Sequence, residues 1–161
     1  LTSKNQNTTF QSIIEHSLGD ECSFEVVKTI HESINDMIDE QKELPDPVVL
    51  DKNDVKRIFE GSGISSDKLE TFDRSFDHII HNESDNPDSS GEDVKFVATN
   101  ITNHRNLEIK TADVTVKVNP EQSHLVETKI IDGIPYLMIR INEHVELNGV
   151  PVRPDEPKLE A

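Results

Sequence analysis

The sequence predicts an α+β protein, with an acidic N-terminal region of about four helices followed by a C-terminal antiparallel β unit of five or six strands. Three observations predict this class. Apolar residues in the first half recur at three- and four-residue spacing, the period of an amphipathic helix. In the second half they alternate with polar residues at every second position, as in a half-buried strand. The charge divides along the same line, since residues 1–93 contain 8 Lys and Arg against 22 Asp and Glu, and residues 94–161 contain 8 against 10.

The four helices are predicted from residues that start and stop helices. Thr8 and Gln11 have the spacing of a capping box, so we expect a first helix over about residues 9–18 that ends at Gly19. A longer second helix follows, and the third and fourth helices form an αα-hairpin because a short glycine-containing turn separates them. The expected N-cap residues of these four helices are Thr8, Ser23, Asp51 and Ser65.

A polar segment separates the two halves. Residues 82–93 contain no apolar residue except a proline and are rich in carboxylates, which predicts a mobile linker. The predicted organisation is an acidic helical region 1–81, an acidic linker 82–93, an antiparallel β domain 94–153 and a tail 154–161.

Two copies of one turn predict β-hairpins in the second half. Asp132-Gly133 and Asn148-Gly149 each follow an apolar residue and precede one, and such pairs tolerate the positive φ of type I′ turns. Counting outward from the first turn places Ile130 opposite Pro135, and the face that they share is expected to be core. The core face should comprise His124, Val126, Thr128, Ile130, Pro135, Leu137, Ile139 and Ile141. The opposite face carries Tyr136 and Met138 and suits solvent or a protein partner.

Composition excludes several functional classes. The net charge of −16 disfavours nucleic acid and anionic membranes, because both repel carboxylates. No stretch approaches the roughly 18–20 apolar residues of a membrane-spanning helix. Cys22 is the single cysteine, so an internal disulfide is excluded. We therefore expect a cytoplasmic protein, and the start at Leu1 suggests a fragment of a longer one.

The strongest candidate for metal chemistry is a pair of histidines. His78 and His81 lie three residues apart on the fourth helix, close enough to share a metal if a third ligand came from elsewhere. The simpler interpretation is that both are polar positions flanking the Ile79 and Ile80 core contact. Cys22 would be a nucleophile only with a base beside it, and the histidines nearest in sequence lie on different predicted helices. We predict no cofactor and no catalytic residue.

Two alternative functions stay open. A metal-dependent enzyme would need a pocket that converges on His78, His81 or His104 with a carboxylate. A nucleic-acid-associated protein would need the basic residues of the β half to gather on one face. Those residues are Arg105, Lys110, Lys117, Lys129 and Arg140.

Three stretches resemble a known family. They are Phe24–His31, Leu50–Arg57 and above all Leu107–Val114, which continues through Val118-Asn119-Pro120 to the Asn148-Gly149 hairpin. The chain resembles the C-terminal part of a family of bacterial proteins, mostly from Gram-positive organisms, that is described as a domain of unknown function. The resemblance implies a cytoplasmic protein without an assigned activity, longer than this chain, and it carries over no catalytic residue.

The favoured hypothesis is a non-catalytic interaction or scaffolding module of a longer cytosolic bacterial protein. We expect the acidic helical surface at Asp36, Asp39 and Glu40 to bind a basic protein partner. Tyr136 and Met138 are the second candidate partner-binding surface. A homo-oligomer remains an open alternative.

Overall fold

The computed structural model describes residues 2–83 and 94–155. It confirms the α+β class, with long helices in the N-terminal part and antiparallel strand pairs toward the C-terminus. The predicted linker lies outside the described residues, except for Asn82 and Glu83, which end the fourth long helix. The chain divides into two compact units, Leu1–Ser123 and His124–Ala161. This division groups residues 94–123 with the helices, whereas the sequence groups them with the β domain.

The described helices all belong to the first unit, apart from short 3₁₀ turns. The four long ones carry most of its packing surface, and the fifth is a single turn. They are α1 (Ser3–Leu18), α2 (Phe24–Glu40), α3 (Lys52–Gly61), α4 (Ser66–Glu83) and α5 (Ala98–Ile101).

The described strands pair in four two-stranded antiparallel ladders and do not join into one larger sheet. The first ladder joins β1 (Val49–Leu50) to β2 (Phe96–Val97), and the second joins β3 (Leu107–Lys110) to β4 (Thr115–Val118). The second unit contains the other two. They join β5 (Val126–Ile131) to β6 (Ile134–Ile139), and β7 (Val145–Leu147) to β8 (Val150–Val152).

A row of phenylalanine rings forms the centre of the first unit. Consecutive ring centroids are separated by 5.9, 6.2, 5.5 and 5.0 Å, mostly in edge-to-face geometry. All five rings are fully buried, and they connect α1, β2, α4 and α3. In order along the row they are Phe10, Phe96, Phe76, Phe72 and Phe59. Because aromatic side chains bury large areas, this row accounts for much of the apolar burial that holds the helices together.

Helix capping agrees with the sequence at three of the four predicted starts. Asp51 begins α3 with a full capping box, in which its carboxylate accepts from the Asp54 amide at 2.9 Å and the Asp54 carboxylate accepts from the Asp51 amide at 3.0 Å. Ser23 caps α2 and Ser65 precedes α4, as predicted. The start of α1 was predicted wrongly. Thr2 is its N-cap, and Thr8 lies inside the helix and donates to the Lys4 carbonyl at 3.2 Å.

The β5–β6 hairpin has the predicted register, with Ile130 opposite Pro135 and Ile131 opposite Ile134. Asp132 and Gly133 take φ values of 51° and 78°, as a type I′ turn requires. The prediction that one face is core is wrong for most of its residues. Ile130 is 75 % exposed and Ile139 is 49 % exposed, and of this face Val126 alone is buried among the described residues. Alternation shows which side chains share a face, but it does not supply a layer that covers them.

Candidate functional site

A groove of about 900 Å³ lies in the first unit. One wall comes from the middle of α1, at Asn7 and Gln11, and from the start of α2 as far as Asn35. The other comes from the segment that runs through α5 into β3. The segment contributes every residue from Thr99 to Lys110, and no residue of β4 lines the groove. The groove therefore opens on the side of β3 that faces away from its paired strand.

His31 is the histidine most engaged with the wall of this groove. Its Nδ1 shares a hydrogen bond of 2.8 Å with the hydroxyl of Thr102, which is buried. The Phe10 ring lies edge-on to the imidazole at 6.3 Å between centroids. Burial lowers the pKa of His31 below its ordinary value of 6.5, because a charged imidazole would lose its hydration there. At neutral pH the residue is therefore an uncharged polar group.

Asn35 lines the same groove and carries a buried polar atom without a partner among the described residues. Its Oδ1 is buried and has no hydrogen-bond partner within residues 2–83 and 94–155. Leaving a buried amide oxygen without a donor costs about 1–3 kcal/mol.

The charged residues that line the groove are mostly basic. They comprise Lys28, Arg105 and Lys110, against a single carboxylate, Glu108. The Lys110 ammonium lies 3.0 Å from the Glu108 carboxylate, and this contact lowers the pKa of Glu108. Lys28 contacts Glu25 at 3.3 Å and lies 5.8 Å from the centre of the Phe24 ring. Two of the three basic side chains therefore have carboxylate partners, and the exposed Arg105 has none among the described residues.

Cys22 lines the groove but is not an activated nucleophile. Its thiol is free and exposed, and desolvation together with the charge of Glu15 raises its pKa above 9.0. A catalytic cysteine needs a lowered pKa, because the thiolate is the reactive form. Although His31 lines the same groove, its uncharged imidazole supplies no positive charge that would stabilise a thiolate.

The two histidines proposed as metal ligands lie on the exposed surface of α4. His78 shares a hydrogen bond of 3.2 Å with the Asn82 side chain. The nearby carboxylates already have partners, since Asp77 contacts Lys52 at 3.0 Å and Asp73 contacts Lys56 at 2.9 Å. Within the part of the chain that the structure describes, no three His, Cys, Asp or Glu side chains are grouped to hold a metal. Among residues 2–83 and 94–155, no third ligand lies beside His78 and His81.

The predicted partner-binding residues lie on two different elements. Asp36, Asp39 and Glu40 are exposed along the C-terminal half of α2. Tyr136 and Met138 are 45 % and 37 % exposed on β6, and they lie opposite Lys129 and Glu127. Both surfaces are accessible, as the sequence predicts, and each belongs to a different unit of the chain.

The five basic residues named for the nucleic-acid alternative fall into two groups. Arg105 and Lys110 line the groove of the first unit together with His104, and Lys117 lies opposite Glu108 on β4. Lys129 and Arg140 belong to the second unit. The structure therefore does not place all five on one strand pair.

Sequence reasoning missed the groove, although part of its wall was visible as a pattern. Asn100, Asn103 and Asn106 recur every third residue, and all of them line it together with Asn7 and Asn35. The spacing alone could not show that α2 lies across from this segment. Contacts such as that between His31 and Thr102, which are far apart in sequence, were required.

Comparison with known proteins identifies a family and nothing closer. No helix within the described ranges has the length and apolar character to cross a membrane. Neither the curated proteins nor the solved structures contain a match to this chain. A family model described as a domain of unknown function, DUF4317, matches residues 1–150. Since that match spans most of the sequence, the chain belongs to the DUF4317 family.

Proposed function

We propose that this chain is a non-catalytic protein-interaction module. The observation that carries the proposal is the exposure of apolar side chains on both faces of the β5–β6 hairpin. Ile130 and Ile139 are exposed on one face, and Tyr136 and Met138 are exposed on the other. Contiguous exposed apolar surface marks interaction sites on proteins, because leaving it in water is unfavourable.

The hairpin also has the form of an incomplete sheet. A two-stranded ribbon is marginally stable in water, and a third strand or a covering surface normally stabilises it. Pro135 has no N–H to offer on the outer edge of β6, whereas β5 contains no proline between Val126 and Ile131. A bound partner would therefore cover the apolar faces or extend the β5 edge.

The occupant that fits this surface is a different protein with a basic or weakly charged face. A second copy of the chain would bring a further net charge of −16 to the contact. Such self-repulsion opposes association between copies. The exposed carboxylates of Asp36, Asp39 and Glu40 favour the same partner chemistry, through salt-sensitive attraction. We propose that this interaction occurs in the cytoplasm of a bacterial cell, where the chain is a module of a longer protein.

The experiment is a capture assay with the full chain carrying Tyr136→Lys and Met138→Lys. The captured proteins are quantified by mass spectrometry against the unchanged chain. The matched control is Leu44→Lys, which places the same charge on an exposed apolar residue of the first unit. For one captured protein, we expect the double variant to recover at least tenfold less than the unchanged chain does. The control variant should recover the same amount as the unchanged chain.

A charge-reversal variant tests the acidic surface separately. Asp36→Lys, Asp39→Lys and Glu40→Lys together should weaken capture of the same protein at low salt and have less effect at high salt. Capture that both sets of variants leave unchanged would refute the proposal. If light scattering shows a dimer that the hairpin variant dissociates, the occupant is a second copy, and the heterologous-partner proposal is wrong.

A further inference from the structure

Strand β3 has an open edge, and that edge faces the groove. Within the described residues β3 pairs with β4 alone. The Thr111 amide donates to the Val114 carbonyl at 2.8 Å, so the pair next to the turn is hydrogen bonded. In an antiparallel ladder hydrogen-bonded and non-hydrogen-bonded pairs alternate. Glu108 and Lys110 are therefore in non-hydrogen-bonded pairs with Lys117 and Thr115, and their backbone N–H and C=O groups point away from β4.

The groove beside this edge provides further hydrogen-bonding groups for a peptide. The wall opposite β3 includes α2, where the Oδ1 of Asn35 is buried without a partner in the described structure. Around it are amide and hydroxyl side chains that can bind peptide groups: Asn7, Gln11, Thr99, Asn100, Asn103 and Asn106. A strand edge facing a helix across a groove is the arrangement in which an extended peptide adds as a further strand.

Charge selects the kind of peptide. Lys28, Arg105 and Lys110 line the groove, and Lys28 and Lys110 each contact a carboxylate, that of Glu25 and that of Glu108. Arg105 is exposed and has no carboxylate partner among the described residues. Elsewhere the chain has a large excess of carboxylates, which would repel an acidic ligand. An acidic segment therefore finds complementary charge at this groove, whereas a basic segment would meet like charges there.

We propose that the groove binds an extended acidic peptide segment of another protein, which adds to β3 as a third strand. The backbone groups of Glu108 and Lys110 form the ladder to the peptide, and the exposed Arg105 attracts its carboxylates. This site is separate from the β5–β6 hairpin, so neither proposal depends on the other.

The probe is a capped seven-residue peptide that alternates Val with Glu, titrated into the isotope-labelled full chain. We expect the amide resonances of Glu108 and Lys110 to shift, and the affinity to fall steeply with added salt. The matched control peptide replaces each Glu by Lys and should bind at least tenfold more weakly. Equal binding of the two peptides, or shifts confined to residues outside the groove, would overturn the proposal.

A pair of variants at one position separates backbone pairing from charge. Lys110→Pro removes the N–H that points into the groove and leaves the β3–β4 hydrogen bonds intact, because Lys110 is in a non-hydrogen-bonded pair. Lys110→Ala keeps that N–H and removes only the charge. We expect Lys110→Pro to weaken peptide binding at least tenfold and Lys110→Ala to weaken it two- to fivefold. Identical losses for the two variants would overturn the strand-addition mechanism.

A third variant guards against misfolding caused by the proline. Arg105→Glu changes an exposed side chain outside the β3–β4 ladder. It should weaken binding of the Glu peptide and strengthen binding of the Lys peptide. If it changes neither affinity, the basic residues of the groove do not select the ligand, and the proposal fails.

Discussion

The two units of this chain use the same apolar residue types in opposite ways. In the first unit many apolar side chains, among them Ile13, Ile30 and Val55, are fully buried around the row of five rings. In the described part of the second unit Val126 is the one buried apolar residue, although Ile130, Ile134 and Ile139 are as apolar as any in the helices. Apolar content therefore does not produce a core unless a second layer covers it. The first unit supplies its own layers, whereas the second presents its apolar residues to solvent.

The largest expected effect comes from removing a ring from the centre of the first unit. Phe76 is fully buried, and its ring centroid lies 5.5 Å from that of Phe72 and 6.2 Å from that of Phe96. Phe76→Ala should lower the free energy of unfolding by about 3–5 kcal/mol, because it removes buried area and leaves a cavity. The matched variant Ile130→Ala should change it by less than about 0.5 kcal/mol. Denaturant unfolding measures both, and similar losses would remove the contrast between the units.

A smaller effect is expected at Gly133, where the backbone of the hairpin turn requires a glycine. A helical glycine, Gly61, serves as the comparison. Gly133 has φ of 78°, a conformation that L side chains rarely adopt, and a Cβ there would meet open space. Gly133→Ala should therefore destabilise the β5–β6 hairpin by about 1 kcal/mol through backbone strain alone.

The control for this variant is Gly61→Ala in α3, where the backbone is helical and a Cβ would again meet nothing. It should be neutral or stabilise by up to about 1 kcal/mol. Amide resonances of the hairpin and helix report each change locally. If Gly133→Ala is also neutral, the turn does not have the described conformation.

The smallest effect concerns the pH dependence of the first unit. Burial lowers the pKa of His31 below 6.5. Between the folded and unfolded pKa values, the imidazole is therefore protonated in the unfolded chain and neutral in the folded chain. The stabilising effect of the neutral imidazole is therefore complete above about pH 6.5 and is lost as the pH falls toward the folded pKa. His31→Gln should reduce the loss of unfolding free energy between pH 7 and pH 5.

The two lysine-paired carboxylates Asp73 and Glu108 contribute below this window. Asp73 and Glu108 have pKa values lowered from 3.8 and 4.5 by their lysine partners, so their contributions are lost at still lower pH. Denaturant unfolding at several pH values checks the prediction. An identical pH dependence in the chain and in the His31→Gln variant would show that the imidazole is not buried as described.

The sequence predicted those parts of the fold that depend on short-range chemistry. The Asp51 cap and the Asp132-Gly133 turn are fixed by contacts within a few residues, and both are confirmed. The start of α1 was missed although its cap is local, since the Thr2 hydroxyl accepts from the Asn5 amide at 3.2 Å and the Thr8–Gln11 spacing pointed to a later start. A contact far along the chain also holds this part of the helix. The Gln6 side chain accepts from the Val97 amide at 2.9 Å, which ties the first turns of α1 to β2. No local pattern reveals such a partner.

The candidate sites follow the same rule. The exposure of Tyr136 and Met138 was predicted because alternation assigns each strand residue to a face. The groove was not predicted, since its two walls come from α2 and from the segment leading into β3, which lie far apart in sequence. The sequence also could not show whether another layer packs on a given face of the hairpin. For that reason the prediction of a core around Ile130 was wrong.

The most direct test of the contrast between the two units is hydrogen exchange on the full chain, resolved by peptide and mass spectrometry. Amides of α1 and α4, which pack together around the phenylalanine row, should exchange slowly through large-scale unfolding. Amides of β5 and β6 should exchange far faster, since a two-stranded ribbon without a covering layer opens readily. Equal protection of the hairpin and the helices would contradict the account, because it would show that the apolar faces of the second unit are already covered.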